Sequence, residues 1–261
     1  MSKAFTLRFL GTGTSGGIPE ILCECAVCRS EDPRDRRLRT SALIEANGRN
    51  LLIDTSVDLR QQFLRESITD IDAVLYTHAH ADHILGLDDL RRISLVHGKS
   101  IPLHAHPAHF ATLEKCFHYI FEPPKQIGGG ILKARHEPIE YGKAFEWNGL
   151  EILPLRVRHG MIDVSAFRFD KRFAYVTDAS AIPEETEAEL KNLDGLVLNA
   201  LRFKEHTTHF NLEQALAVVE RLKPKQAWFV HMTHDVSHQT VSATLPPNVF
   251  LAHDGLRVSF G

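Results

Sequence analysis

Hydrophobic residues recur along this chain with two different spacings. Short runs that alternate with polar residues or are continuously apolar predict β-strands. These runs are AFTLRFL, SALIEA, NLLIDT, DAVLYT, IPLHAH, LEILPLRV, SAFRFD, RFAYVTD, GLVLNA, QAWFVHM and LRVSF. Apolar positions three and four residues apart predict helices in SVDLRQQFLRES, DHILGLDDLRRISL, PAHFATLEKCFHYIF, PEETEAELKN and NLEQALAVVERLK. Strands come first in succession and then alternate with helices, which favours layered sheets covered by helices over one doubly wound sheet.

The chain reads as one domain. Its 261 residues could form one large α/β domain or two ordinary ones. No linker, charge block or low-complexity tract divides it, so we expect a single domain over residues 1–261. The interruption at 122–140, EPPKQIGGGILKARHEPIE, is rich in Pro and Gly. It predicts a surface loop, with a flap over a functional site as the alternative.

Composition excludes several classes of protein. A hydrophobic fraction of 43%, a charged fraction of 24% and a net charge of -3 describe an ordinary globular protein. The chain has no extended basic surface, which argues against a large nucleic acid as partner, although a short oligonucleotide stays open. No apolar run approaches about 18 residues, and the N-terminus lacks the pattern of a cleaved leader. We therefore expect a cytoplasmic protein with no membrane partner.

Three of the four cysteines lie together in ILCECAVCRS. Cys23, Cys25 and Cys28 share this loop, whereas Cys116 is far away in the sequence. Such crowding fits a metal site in a reducing compartment better than a disulfide framework. A tetrahedral site needs a fourth ligand, and His234 is the nearest candidate if the loop folds back to that end of the sheet. Buried free thiols are the alternative.

A second ligand-rich passage, LYTHAHADHILG, follows the predicted strand DAVLY. It offers His78, His80, Asp82 and His83 within six residues. Imidazoles two residues apart at a strand end can point at one metal, while Asp82 and His83, entering the next helix, face a neighbouring metal. Imidazole nitrogen and carboxylate oxygen suit Zn, Mn or Fe.

This passage resembles the THxHxDH signature of the metallo-β-lactamase superfamily. The superfamily pattern asks for a later His, an Asp and another His, each after a strand. The chain supplies His159 in LRVRHG, Asp178 in YVTDAS and His231 in WFVHMT, in that order. The resemblance implies the four-layer αββα sandwich, with the site at one edge between two sheets.

The resemblance also implies a dinuclear metal centre. One metal would be held by His78, His80 and His159, and the other by Asp82, His83 and His231, with Asp178 bridging. Such metals lie about 3.5 to 4 Å apart and clamp a hydroxide that acts as nucleophile. Asp54 lies where the family usually has a carboxylate that orients ligand histidines. A plain turn residue is the equal alternative for Asp54.

The cysteine loop, residues 22–30, resembles that of the PhnP-type phosphodiesterases. These proteins pair the dinuclear centre with a Cys-x-Cys-x-x-Cys loop and a downstream His, which implies a structural zinc on Cys23, Cys25, Cys28 and His234. They also carry a His that protonates the leaving group. The resemblance places this role on His209 in THFNLEQAL, with His206 as a competing candidate.

The sequence thus predicts a metal-dependent phosphodiesterase acting on a small diester such as a cyclic phosphate, with His209 and Asp82 as catalytic residues. Two divalent ions, Mn, Zn or Fe, would serve catalysis, and one Zn would be structural. A homodimer is expected by resemblance only. Two alternatives stay open: a carboxyl-ester or lactone hydrolase on the same metals, and a non-catalytic metal-binding accessory protein resembling PqqB.

Overall fold

The first of two mixed sheets contains the N-terminal strands. The computed structural model describes residues 4–122 and 130–261. The strands of this sheet are β1 (Phe5–Gly11), β2 (Ser41–Ala46), β3 (Arg49–Ile53), β4 (Ala73–Leu75), β5 (Ile101–Ala105), β6 (Ala134–Pro138) and β14 (Arg257–Phe260). Their order in the sheet is β14-β1-β2-β3-β4-β5-β6. Pairing is antiparallel from β14 to β3 and parallel from β3 to β6.

The second sheet repeats this pattern with later strands. Its members are β7 (Phe145–Trp147), β8 (Leu150–His159), β9 (Ile162–Phe169), β10 (Phe173–Tyr175), β11 (Gly195–Asn199), β12 (Gln226–Val230) and β13 (Val249–Leu251). Their order is β13-β12-β11-β10-β9-β8-β7. Pairing is antiparallel from β7 to β10 and parallel from β10 to β13.

Helices cover the outer face of each sheet. They are α1 (Leu59–Glu66), α2 (Ala81–Ile84), α3 (Arg91–His97), α4 (Pro107–Cys116), α5 (His118–Phe121), α6 (Glu184–Leu190), α7 (Leu212–Leu222) and α8 (His238–Ser242), with 3-10 turns at Pro33–Asp35 and Leu87–Leu90. Asn211 begins α7 with a capping box that pairs its side chain and backbone with Gln214. Among the described residues, no helix has the length and apolarity that crossing a bilayer requires.

Apolar side chains form three buried layers. The central layer joins the facing sides of the two sheets, and the aromatic rings of Phe5, Phe169 and Phe260 pack in it. A second layer lies between the first sheet and α1 to α5, and a third between the second sheet and α6 to α8. The predicted four-layer αββα sandwich is therefore confirmed.

Each predicted strand run contains an observed strand, but three observed strands were not predicted. These are β6, β7 and β13, which all lie at sheet edges. Strands β6 and β7 are partly exposed and include polar residues, and β13 has only three residues, so periodicity does not reveal them. Strand β6 occupies part of the passage 122–140. Residues 123–129 of that passage lie outside the described residues, and the flap stays a prediction.

A buried arginine ties the N-terminal loop to the segment after β12. Arg37 is fully buried and forms an ion pair with Asp35, at 3.0 Å. Its guanidinium also donates to the carbonyl oxygens of Thr233, at 3.2 Å, and Val236, at 2.7 Å. The backbone N–H of His238 donates to the same Asp35 carboxylate. This pair therefore fixes two distant chain segments against each other.

We predict that Arg37→Met lowers the free energy of unfolding by about 3 kcal/mol or more, because the change leaves the Asp35 carboxylate buried without its cation. Urea unfolding followed by circular dichroism measures the effect. The matched control is Arg34→Met, which breaks the half-exposed Arg34–Asp32 pair and should cost less than about 1 kcal/mol. Equal losses in the two variants would contradict a special role for Arg37.

Candidate metal centre

The ligand-type residues gather because they follow the ends of neighbouring strands. Parallel strands place their carboxyl ends at one edge of a sheet. The loops or termini of β3, β4, β8, β10 and β12 there supply Asp54, His78, His159, Asp178 and His231. Helix α2, directly after His80, adds Asp82 and His83.

Three of these residues have left-handed backbone conformations. The φ angles are 59° at Asp54, 57° at Asp178 and 57° at His231. Asp, Asn and His are the non-glycine residues that adopt this region most readily. Such a turn directs a side chain out of the strand line at the sheet edge. The clustering of these conformations at one place is typical of functional sites.

The first group of ligand atoms consists of three imidazoles. One nitrogen each from His78, His80 and His159 lies within 4.8 Å of the others. His78 Nε2 and His80 Nδ1 are 2.9 Å apart. His159 donates from Nδ1 to the carbonyl oxygen of Thr208, at 2.7 Å, which leaves its Nε2 for the centre. This arrangement fixes the tautomer of a ligand histidine.

The second group combines carboxylates and imidazoles. Ligand atoms of Asp82, His83, Asp178 and His231 all lie within 4.8 Å of one another, and all four residues are buried. His83 Nε2 is 3.2 Å from a carboxylate oxygen of Asp82 and 3.2 Å from one of Asp178. His231 Nδ1 is 3.3 Å from the other oxygen of Asp178.

Asp178 links the two groups. Its Oδ2 lies 3.6 Å from His78 Nε2 in the first group and 3.2 Å from His83 Nε2 in the second. Although burial opposes ionisation, the neighbouring His231 and His83 hold the pKa of Asp178 well below its usual value. The bridging role that the family resemblance implies for Asp178 stays a prediction.

Burial and charge divide the histidines into two kinds. Burial lowers the pKa of His78 well below its usual value and that of His231 to about 4. For His83, burial acts the same way but is outweighed by Asp178, Asp82 and Asp54, which raise its pKa well above the usual value. Neutral imidazoles are ready ligands, whereas a charged one must lose its proton before it binds a cation.

Asp54 supports His83 from behind. Its carboxylate accepts a hydrogen bond from His83 Nδ1 at 2.7 Å, and it is completely buried. It also accepts from the backbone N–H and the hydroxyl of Thr77, at 2.8 and 2.7 Å. A turn residue would not need these three bonds. Asp54 therefore holds the ligand-bearing strand end and directs His83 Nε2 at the centre.

These residues fit a pair of divalent cations. His83 Nε2 is buried and has no aligned hydrogen bond to any described residue, despite the carboxylates beside it. Such an orphaned nitrogen is costly unless it loses its proton and its lone pair binds a cation. The donor set of imidazole nitrogens and carboxylate oxygens suits Zn, Mn or Fe.

His209 lies beside the same centre and is mostly buried. Its ring stacks on His231 at 5.0 Å and meets His159 edge-on at 4.6 Å. Its Nε2 is 3.6 Å from Asp178 Oδ2 and has no hydrogen-bond partner among the described residues. Its Nδ1 contacts the hydroxyl of Thr208 at 2.8 Å.

His206, the competing candidate, stands one step further from the centre. Its Nδ1 is 3.3 Å from His209 Nδ1 and 3.1 Å from the Thr208 hydroxyl. It therefore contacts the back of His209. Of the two histidines, His209 is the one that the fold directs at the ligand groups.

The cysteine loop lies against the segment after β12, which brings its thiols to His234. Ligand atoms of Cys23, Cys25, Cys28 and His234 lie within 4.8 Å of one another. His234 Nδ1 is 2.9 Å from the sulfur of Cys23, and its Nε2 faces Glu20 at 3.4 Å. Hydrogen bonding, chiefly from the backbone N–H of Cys28, lowers the pKa of the Cys25 thiol to about 7. Burial raises the pKa of the Cys28 thiol to about 11.

Hydroxyl and carbonyl groups around the ligands were not found from the sequence. Thr40 and Thr14 place hydroxyl oxygens 3.2 and 3.4 Å from the two nitrogens of His231, and the Thr208 carbonyl orients His159. The only signal for Thr208 was its place between His206 and His209. Thr14 and Thr40 have no motif, because the pairing of distant loops brings them to the site.

We predict that Cys25→Ser removes about one zinc ion per chain and lowers the melting temperature, because a structural site loses one of its four ligands. Metal content is measured by plasma mass spectrometry and melting by scanning calorimetry. The control is Cys116→Ser, since Cys116 is exposed and outside the sulfur cluster. An unchanged zinc content in Cys25→Ser would contradict the site.

We predict that Asp54→Asn weakens metal binding at the dinuclear centre by roughly 10- to 100-fold, as for other partners that orient ligand histidines. Competition with a chelator at graded concentrations measures the affinity. Asp70→Asn, at a half-exposed aspartate paired with Lys99, is the control. The hypothesis fails if both variants release metal at the same chelator concentration.

Comparison with known proteins agrees with this geometry. The family model of the β-lactamase superfamily domain matches residues 49–232. A solved structure described as a new diphosphatase from the PhnP family is 42% identical, with a TM-score of 0.92, covering 98% of this chain and 97% of that one. Zn(2+)-bound PqqB from Methylobacterium extorquens is 20% identical with a TM-score of 0.79, covering 97% of this chain and 99% of that one. At that identity, the PqqB comparison shows the shared fold.

A protein of Porphyromonas gingivalis named octanoyltransferase is 37% identical over 250 residues, which are 95% of this chain and 50% of that protein. The chain thus spans about half the length of this relative. At the level of the family, the prediction of a metal-dependent hydrolase is confirmed. By its matched domain and its 42% identity over nearly the whole length of a family member, this chain belongs to the PhnP family of the metallo-β-lactamase superfamily.

Proposed function

We propose that the protein is a dinuclear metal-dependent phosphodiesterase that hydrolyses a small diester. The observation that carries this proposal is the position of His209. Its Nε2 faces Asp178 between the rings of His159 and His231 and lacks a partner among the described residues. A proton donor at this place serves a reaction whose leaving group is a poor one, as an alkoxide is.

The residues divide the work of the reaction. His78, His80 and His159 would hold one cation, and Asp82, His83 and His231 would hold the other, with Asp178 shared by the two groups. Divalent ions at such a site supply a nucleophile at neutral pH and stabilise negative charge on phosphoryl oxygens. Asp54 keeps His83 in its ligating orientation. The name of the relative that is 42% identical, a diphosphatase, supports phosphorus chemistry.

His209 would give its Nε2 proton to the departing oxygen. The general acid is the imidazolium, which carries a proton on each nitrogen, so that Nδ1–H donates to the Thr208 hydroxyl and Nε2–H faces the centre. The contact with Thr208 thus orients the ring so that Nε2–H can reach the departing oxygen. His206 contacts the same hydroxyl and supports His209 from the side away from the centre.

The dinuclear centre would take Mn, Zn or Fe, and the sulfur cluster Zn, because thiolates favour zinc while imidazole and carboxylate accept all three. We expect a small phosphodiester as substrate. The homodimer stays a prediction, to be checked by light scattering.

We predict that His209→Ala lowers kcat on a 2′,3′-cyclic nucleotide by a factor of about 100 to 10,000, because the ribose oxygen then leaves without a proton. The loss on bis(p-nitrophenyl) phosphate should be much smaller, since p-nitrophenolate leaves unprotonated. Both rates are measured with metal-reconstituted protein, alongside p-nitrophenyl acetate as a carboxyl ester.

The matched control is His206→Ala, which should lose far less on the cyclic diester than His209→Ala. Equal losses on both diesters together with a lower metal content would make His209 a metal ligand instead of an acid. Cleavage of the acetate ester alone would replace the proposal with a carboxyl-ester hydrolase. A metal-loaded protein that cleaves none of the three would fit a non-catalytic accessory protein.

A further inference from the structure

A cavity of about 660 Å³ opens beside the ligand His80. Its lining includes His106 at the N-cap of α4, Thr112 of α4, and the residues Tyr141, Arg156 and Ile162. Cavities of roughly 300 to 1,000 Å³ hold organic ligands of drug size. The space therefore exceeds what a phosphoryl group at the metals would fill.

Planar aromatic surfaces dominate this cavity. The rings of His106 and Tyr141 stack with centroids 4.6 Å apart and planes inclined by 9°. The stack joins the N-cap of α4 to the loop after β6, so its position is fixed by two elements. The side chain of His106 is held further because its Nδ1 accepts a hydrogen bond from the backbone N–H of Ala108. A rigid planar wall of this kind favours a planar ring as its neighbour.

The charges at the rim already have partners. Arg156 pairs with Glu185 at 2.6 Å and stands 3.9 Å from Asp163. Asp163 also binds Arg158 at 2.5 Å. With these charges paired, the rim does not present the cluster of available cations that a second phosphate would need. The lining suits an uncharged group that combines a planar ring with hydrogen-bonding atoms.

We propose that this cavity binds a nucleoside carried by the diester, with the base against the wall of His106 and Tyr141. The inference rests on the proposed phosphodiesterase function and narrows its substrate class to nucleotide diesters. His80 belongs both to the ligand group and to the cavity lining. A diester whose phosphorus lies at the metals therefore extends its substituent directly into the cavity.

The test compares two diesters with the same leaving group, the p-nitrophenyl ester of thymidine 5′-monophosphate and methyl p-nitrophenyl phosphate. Because p-nitrophenolate departs from both, any difference reports the substituent. We expect kcat/KM for the thymidine ester to be higher by a factor of about 5 or more, since base–aromatic stacking contributes at least this much. The difference should appear mainly in KM.

Two independent variants alter the cavity. Thr112→Phe fills it, and Tyr141→Ala removes one ring of the stack; each should reduce the preference for the thymidine ester to less than about threefold. Ala217→Phe, on the exposed face of α7, should keep the wild-type preference. Calorimetric binding of thymidine 5′-monophosphate should weaken in the same two variants. Melting temperatures identify a variant that fails to fold, and the other variant then decides.

The outcomes distinguish a failure of the nucleoside site from a failure of the phosphodiesterase function. Equal kcat/KM for the two esters in the wild type, or a preference unchanged in a folded cavity variant, would overturn the nucleoside site and leave the phosphodiesterase function standing. Failure of the metal-loaded wild type to hydrolyse either ester would overturn the proposed function and the nucleoside site with it.

Discussion

The carboxylate of Asp178 is the group around which the centre is built. It is almost completely buried, and its oxygens lie within 3.6 Å of nitrogens of His78, His83, His209 and His231. A buried anion is strongly destabilising unless positive charge or hydrogen-bond donors surround it. The histidines satisfy this demand only if four separate chain segments converge. The need to stabilise the buried charge of Asp178 therefore constrains the positions of several strand ends at once.

The sheet pattern explains how short strands meet that constraint. In each sheet, antiparallel strands give way to parallel ones, and the parallel strands bring their carboxyl ends to one edge. Strands β4 and β10 have only three residues each. They need no greater length because their neighbours hold them on both sides and the central apolar layer buries them. Rigid strands thus carry polar loops directly to the site.

Much of the fold and of the site could be predicted from the sequence, for physical reasons. Ligand residues follow apolar runs, so His78, Asp178 and His231 are visible at strand ends. Their hydrogen-bonding partners, such as Thr40, come from distant loops that no local pattern connects. Edge strand β6 was missed because its residues are half exposed and polar. The cavity beside His80 was also missed, because α4 and the loop after β6 come together only in the folded chain.

The left-handed backbone at Asp54, Asp178 and His231 also limits how this centre can change over evolution. At such φ angles a β-branched or bulky side chain strains the backbone, whatever its chemistry. Asn fits the conformation but lacks the carboxylate charge, and Gly fits it but offers no side chain. Few single substitutions at these three positions would therefore leave the centre unchanged. New specificities in this scaffold should arise more readily through residues of ordinary backbone geometry that surround the metals than through the ligands themselves.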